Sequence, residues 1–127
     1  MRALVIDDSR TMRHIVSDIL HGLGFATSQA QNGREALDLL EAGERFDLAC
    51  VDWNMPVMDG LEFVKAVGGR PDWRFLTLMM LTTESERGQI VRALAAGANE
   101  YVTKPFTAES LESKLALLGL LPLVEPT

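Results

Sequence analysis

Short apolar runs alternate along this chain with longer segments whose apolar residues recur at helical spacing. Ala3-Leu4-Val5-Ile6 is continuously apolar and stops at Asp7-Asp8, the pattern of a strand covered on both faces. Met12, Ile15, Val16, Ile19, Leu20 and Leu23 then fall along one face of a helix that Gly22 and Gly24 bring to an end. Phe25 to Ala30 predicts a weaker strand. Asn32 followed by Glu35 predicts a capped helix start, with Ala36, Leu37 and Leu40 facing inward. Phe46 to Val51 predicts a third strand, ending at Asp52. The segment from Trp53 to Gly60 is rich in turn formers. Asp59 with Glu62 repeats the cap signature and opens a helix through Leu61, Val64 and Val67, which Gly68-Gly69-Arg70-Pro71 breaks. Phe75 to Leu81 predicts a fourth strand, ending at Thr82. Thr83 with Glu86 reads as a capping box for a helix whose inner residues are Ile90, Val91 and Leu94, and Gly97 ends it. Glu100 to Thr103 predicts a fifth strand, ending at Lys104-Pro105. Thr107 caps a last helix with Leu111, Leu115 and Leu118 on one face.

The chain therefore reads as five βα units in succession, with no internal repeat, linker or low-complexity stretch. Strands joined by helices run parallel, with right-handed crossovers and helices on both faces. The expected fold class is α/β, an open five-stranded parallel sheet between two helical layers. Such sheets place their sites beyond the carboxyl ends of the strands.

Composition narrows the function. The 127 residues suit a single domain. Hydrophobic residues at 47% and charged residues at 24% give a globular balance. A net charge of −6 and a pI near 4.8 argue against binding a nucleic-acid backbone. The longest nearly apolar run, Leu115 to Val124, is too short to span a bilayer and contains Pro122, and the N-terminus holds no signal-peptide core. The lone Cys50 allows no internal disulfide and fits a reducing cytoplasm. It is expected to be a small buried apolar group.

The strand ends carry the chemistry. The first strand ends in Asp7-Asp8, the third in Asp52, the fourth in Thr82 and the fifth in Lys104. In a parallel sheet these groups share one edge. Taken singly, Asp and Thr at strand ends are common loop-entry residues, and a lone lysine is ordinary surface. Together they form a narrow set. Clustered aspartates repel unless a cation sits among them. An open all-oxygen site suits Mg²⁺. A lysine ammonium and a threonine hydroxyl beside it can contact a phosphoryl group, and an aspartate can itself be the nucleophile that forms an aspartyl phosphate. Asp52, closing a central apolar strand, is the foremost candidate for that role.

Several strings in order now resemble a known family. Val5-Ile6-Asp7-Asp8-Ser9, Thr11-Met12-Arg13, Asp52-Trp53-Asn54-Met55-Pro56, Met58-Asp59-Gly60 and Tyr101-Val102-Thr103-Lys104-Pro105-Phe106-Thr107 are similar to the response-regulator receiver domain, most closely its single-domain chemotaxis members, from about residue 3 to residue 118. The resemblance implies a flavodoxin-like strand order 2-1-3-4-5, a receiver domain over residues 1–119 and a short apolar tail over 120–127. It implies that Asp52 accepts phosphate from a histidine kinase or a small phosphodonor. Asp7, Asp8, Asp52 and the Asn54 carbonyl would hold Mg²⁺, Lys104 would pair with the phosphoryl group, and Thr82 and Tyr101 would be the switch residues. The Lys104-Pro105 bond would be cis. Asn54 and Glu84 would tune the lifetime of the phosphorylated state. Output would come from the face of the fourth helix, fifth strand and fifth helix, where Lys114 lies. The flagellar motor switch is the downstream target that the chemotaxis likeness favours. The implied protein is a cytoplasmic switch, not an enzyme, with no nucleic-acid or membrane partner.

Other readings stay open. A receiver in a non-chemotaxis phosphorelay fits the same motifs. An aspartyl-phosphate phosphohydrolase uses similar chemistry, but its Asp-x-Asp signature is missing at Asp52-Trp53-Asn54 and the chain has no length for a cap domain. A flavodoxin-like carrier would need a phosphate loop after the first strand, where this chain has acids. Thr83 stands where the family often has a smaller residue. The 120–127 tail either folds back on the body or frays, or else makes a partner contact. His14 and His21 read as solvated surface, Tyr101 on residues alone as an ordinary strand-edge ring, and the six methionines as mostly core.

Overall fold

The computed structural model of the protein describes residues 1–83 and 87–121. Five strands, β1 (Arg2–Ile6), β2 (Ala26–Ala30), β3 (Leu48–Asp52), β4 (Thr77–Thr83) and β5 (Glu100–Lys104), alternate with five helices, α1 (Arg10–Gly22), α2 (Gly33–Glu41), α3 (Gly60–Gly68), α4 (Arg87–Ala96) and α5 (Ala108–Leu117). The strands form one parallel sheet in the order β2-β1-β3-β4-β5. The central strands are apolar throughout because successive side chains point to opposite faces and both faces are covered. Leu4, Ile6, Ala49, Val51, Leu78 and Met80 enter one core with Leu37, Leu40, Phe63 and Val64. Ala3, Val5, Leu48, Cys50, Met79 and Leu81 enter the other with Val16, Leu20, Leu111 and Leu115.

Caps set the helix starts. The Ser9 hydroxyl accepts from the Met12 N–H, Asn32 from Glu35, Asp59 from Glu62 and Thr107 from Ser110. Asp59 and Thr107 complete reciprocal boxes with Glu62 and Ser110. Glu86 of the Thr83–Glu86 box expected before α4, and Glu84 with it, lie outside the described residues, as do residues 122–127 of the tail, while Thr83 ends β4. Leu120 and Leu121 pack against the α1–α5 core. No helix among the described residues is long and apolar enough to cross a membrane.

Three local expectations need correction. Val91 and Leu94 do not face inward: they are 69% and 40% exposed. Helix α4 buries Ile90 and the small Ala93 instead, and it comes so close to α3 that a Cβ on Gly68 would lie 2.9 Å from the Ala96 carbonyl. The larger side chains that draw the eye in sequence lie on its outer face. Ile15 is likewise exposed, at the edge of a groove with Met12, Pro105 and Phe106, while Val16, Ser17 and Leu20 form the inner line of α1. Phe75 precedes β4 and lies under the Arg45 guanidinium, 4.2 Å from it, because the chain makes a single 3-10 turn over Pro71–Trp73 before pairing at Thr77.

The loop between β3 and α3 is pinned at both ends. The Gly60 N–H donates to the Trp53 carbonyl at 2.9 Å, and a Cβ on Gly60 would fall 2.5 Å from the Asp52 carbonyl, so only glycine permits this approach. The Gly33 N–H donates to the Met58 carbonyl at 3.0 Å, tying the loop to the start of α2. Between these anchors Val57 has φ +68° and is 78% exposed. A β-branched residue in the left-handed region is strained by about 1–3 kcal/mol. Asparagine tolerates that region, and no packing is lost at so exposed a site. Val57→Asn should therefore raise the thermal midpoint by about 4 °C, the shift expected from about 1 kcal/mol in a domain of this size. An unchanged midpoint by calorimetry would show that the turn carries no such strain.

Candidate functional site

Asp7 and Asp8 follow the last residue of β1, Asp52 is the last residue of β3, and Lys104 the last of β5. The central position of β1 and β3 puts the three aspartates together: one carboxylate oxygen of each lies within 4.8 Å of the other two. Asp7 and Asp52 are buried and Asp8 is exposed, so the cluster opens on one side to solvent. Lys104 reaches it across β4. Two strand spacings, about 9–10 Å, separate β5 from β3, and a lysine stem and a carboxylate together span that gap. Its Nζ donates to Asp52 Oδ1 at 2.8 Å and lies 3.7 Å from Asp7 Oδ2.

Asp7 is held firmly. Its N–H donates to the Ala30 carbonyl at 3.1 Å, its Oδ1 accepts from the Ser9 N–H at 2.9 Å, and its carbonyl accepts from Arg13 Nη1 at 2.8 Å. Asp7 Oδ2 is buried and, among the described residues, accepts no hydrogen bond. Burial pushes the Asp7 carboxyl above the usual range; the Ser9 N–H opposes this, and the Asp52 charge adds to it. Burial also raises Asp52, Lys104 offsets part of the effect, and Asp8 adds to it. A buried acceptor without a donor, within a trio of carboxylates that resist ionising together, is a site one cation short. Hard oxygen donors with an open side fit Mg²⁺.

Thr82 is buried next to the end of β4, beside Thr103 in register, with a long 3.5 Å contact from its hydroxyl to the Thr83 carbonyl. Asn54 sits two residues beyond Asp52 on the exposed start of the pinned loop. The Lys104-Pro105 bond is cis. Tyr101 is not part of the acidic corner. It lies half-buried at the other end of β5, in a groove of about 680 Å³ whose walls include Ile90, Val91, Leu94 and Lys114. Lys114 Nζ lies 5.2 Å from its ring centroid and 3.3 Å from Glu100 Oε1, which also accepts from the Tyr101 N–H. Two contributors carry no role in the sequence reading, Arg13 and Glu100. Arg13 stands inside a family-like string, but its reach to a backbone carbonyl leaves no spacing signal. Glu100 could have been found only by pairing it with Lys114 across a strand and a helix.

An open α/β sheet of order 2-1-3-4-5, with an acidic cluster beyond the strands where the order reverses, defines a flavodoxin-like protein with its site at the topological switch point. The response regulator receiver domain matches residues 3–116, and the chain belongs to that family of phosphorelay signalling domains. It is 43% identical over 116 residues to the chemotaxis protein CheY-3 of Vibrio cholerae, covering 91% of this chain and 88% of the relative. It is also 43% identical to the chemotaxis protein CheY of Pseudomonas aeruginosa, covering 91% and 93%. Among solved structures it is similar to Vibrio cholerae CheY4 at 40% identity, with a TM-score of 0.83 and coverage of 91% and 96%. It is also similar to the receiver domain of the sensor histidine kinase PA1611 of Pseudomonas aeruginosa, which has a magnesium ion coordinated in its active site cleft, at 25% identity and a TM-score of 0.82, covering 91% and 94%.

The electrostatics set a pH dependence. A carboxyl whose folded pKa lies above its unfolded value stabilises the fold below pH 3.8, and that contribution is lost as pH rises through the folded value. At neutral pH the metal-free protein therefore carries Asp7 as a cost. Asp7→Asn keeps the acceptor for Ser9 and should raise the metal-free midpoint at pH 7. The gain should shrink toward pH 4. Urea unfolding across that range in a chelator checks it; a gain that grows on acidification contradicts it.

Proposed function

We propose that this chain is a phosphoacceptor switch of a two-component phosphorelay. Residues 1–119 form its receiver domain, and 120–127 form a short tail. The observation that carries the reading is the Lys104–Asp52 contact inside the acidic trio. It presents one nucleophilic carboxylate with a cation already in place.

In this reading an Asp52 oxygen attacks the phosphorus of a phosphohistidine on a histidine kinase, or of a small phosphodonor. The new O–P bond forms as the P–N bond, or the P–O bond of the donor, breaks. Asp52 must be ionised to do this, and Lys104 works against the burial that raises its pKa. Asp7, Asp8, Asp52 and the Asn54 carbonyl would hold Mg²⁺, which supplies charge neutralisation for the carboxylates and phosphoryl oxygens. Lys104 then pairs with the phosphoryl group, which has the stronger charge. Thr82, at the end of β4, moves to hydrogen-bond the same group. Tyr101 follows inward from its half-exposed place beneath Lys114, changing the α4–β5–α5 face. Val91 and Leu94, exposed on that face, offer apolar area to a downstream protein. The chemotaxis relatives favour a flagellar motor switch as that target and a cytoplasmic location. Asn54 and Glu84 tune how long the phosphate stays.

Trp53 adjoins Asp52 and reports on it. Mg²⁺, then acetyl phosphate, should each change tryptophan emission, and Asp52→Asn should abolish the acetyl phosphate response. A mutant that responds like the parent removes Asp52 from the role. Lys104→Ala should keep the Mg²⁺ response yet lose the phosphate-driven change in hydrogen exchange over Glu100–Lys104. Such couplings are worth about 5–150-fold, and an intact change would show that Lys104 does not transmit the signal.

A further inference from the structure

Three hydrogen bonds from two neighbouring elements, β2 and α1, hold Asp7. Strand β2 takes its N–H through the Ala30 carbonyl, the Ser9 N–H at the head of α1 holds its Oδ1, and Arg13 on the next turn of α1 holds its carbonyl. That carbonyl belongs to the peptide that carries Asp8. Asp8 is exposed, so packing does little to aim it, and the orientation of this peptide decides where its carboxylate points. Arg13 is itself anchored from outside: its Nε donates to Gln29 Oε1 on β2 at 3.2 Å. The guanidinium thus bridges β2 and the Asp7-Asp8 peptide, with two donors fixed in one plane.

We propose that Arg13 is a positioning residue for the acidic corner, holding the Asp7-Asp8 peptide so that both carboxylates converge with Asp52 on a divalent cation. This rests on the cation-binding reading above. Arg13 has two effects of opposite sign. Its positive charge near the carboxylates weakens cation binding. Its hydrogen bonds fix the carboxylates before the ion arrives and so strengthen it. Because the guanidinium donates to a backbone carbonyl and an amide, its contribution is geometric. Groups that orient metal ligands from behind change affinity by about 10–100-fold when removed.

The sign of the change decides the matter. Mg²⁺ affinity of the full chain is measured by Trp53 emission and, independently, by the Mg²⁺-induced shift in thermal midpoint. Arg13→Gln should weaken Mg²⁺ about tenfold. Gln29→Leu keeps the charge and cuts the outer anchor at an exposed strand position, and should give a smaller loss in the same direction. An affinity raised or unchanged in Arg13→Gln overturns the proposal, as does a gain in Gln29→Leu. Absence of any Mg²⁺ response in the parent would instead overturn the cation-binding reading itself, so the two failures are distinguishable.

Discussion

Three carboxylates in one corner of a protein repel one another, and two of these are buried. The ammonium of Lys104, 2.8 Å from Asp52, is what makes the arrangement tolerable. Much of the architecture serves that contact. The strand order sets β1 beside β3, so the acids meet, and leaves β4 as the spacer that a lysine from β5 must cross. The glycine at position 60 lets the loop that precedes it fold back against the end of β3 without displacing Asp52. One cation is still too few for three acids, which is why the corner suits a divalent ion and a phosphoryl group together.

Strand β5 connects this corner to the outer surface. Lys104 ends it and Tyr101 lies three residues earlier, beneath Lys114 and beside Glu100. The four residues from Tyr101 to Lys104 thus join a part-buried charge contact to a half-exposed aromatic ring. On the proposed reading, whatever draws Lys104 away from Asp52 acts on a strand that carries the ring directly. The outward side chains of α4 then have a purpose that core packing does not give them.

The course of the chain was legible because the strongest local signals agreed with one another. Apolar runs stop at polar or charged residues, and caps at Asn32, Asp59 and Thr107 begin helices where the periodicity does. The acidic site was legible for the same reason, since strand ends in a parallel sheet share an edge. Legibility failed where size misled. In α4 the helix buries alanine to approach α3 closely, so reading inward faces from bulky residues inverted Val91 and Leu94. It failed again for Arg13 and Glu100, whose partners are a backbone carbonyl and residues on other elements. Such contacts depend on tertiary placement and leave no periodic trace.

The single cysteine has a practical consequence. Cys50 lies wholly buried in the middle of β3, and burial pushes its thiol up to about 12, so at neutral pH it holds almost no thiolate. Alkylating and maleimide reagents will pass it by while the protein is folded. A cysteine introduced on an exposed loop would then be the sole reactive thiol. A dye or spin label could be placed at a chosen point on this surface without first removing a residue from the core.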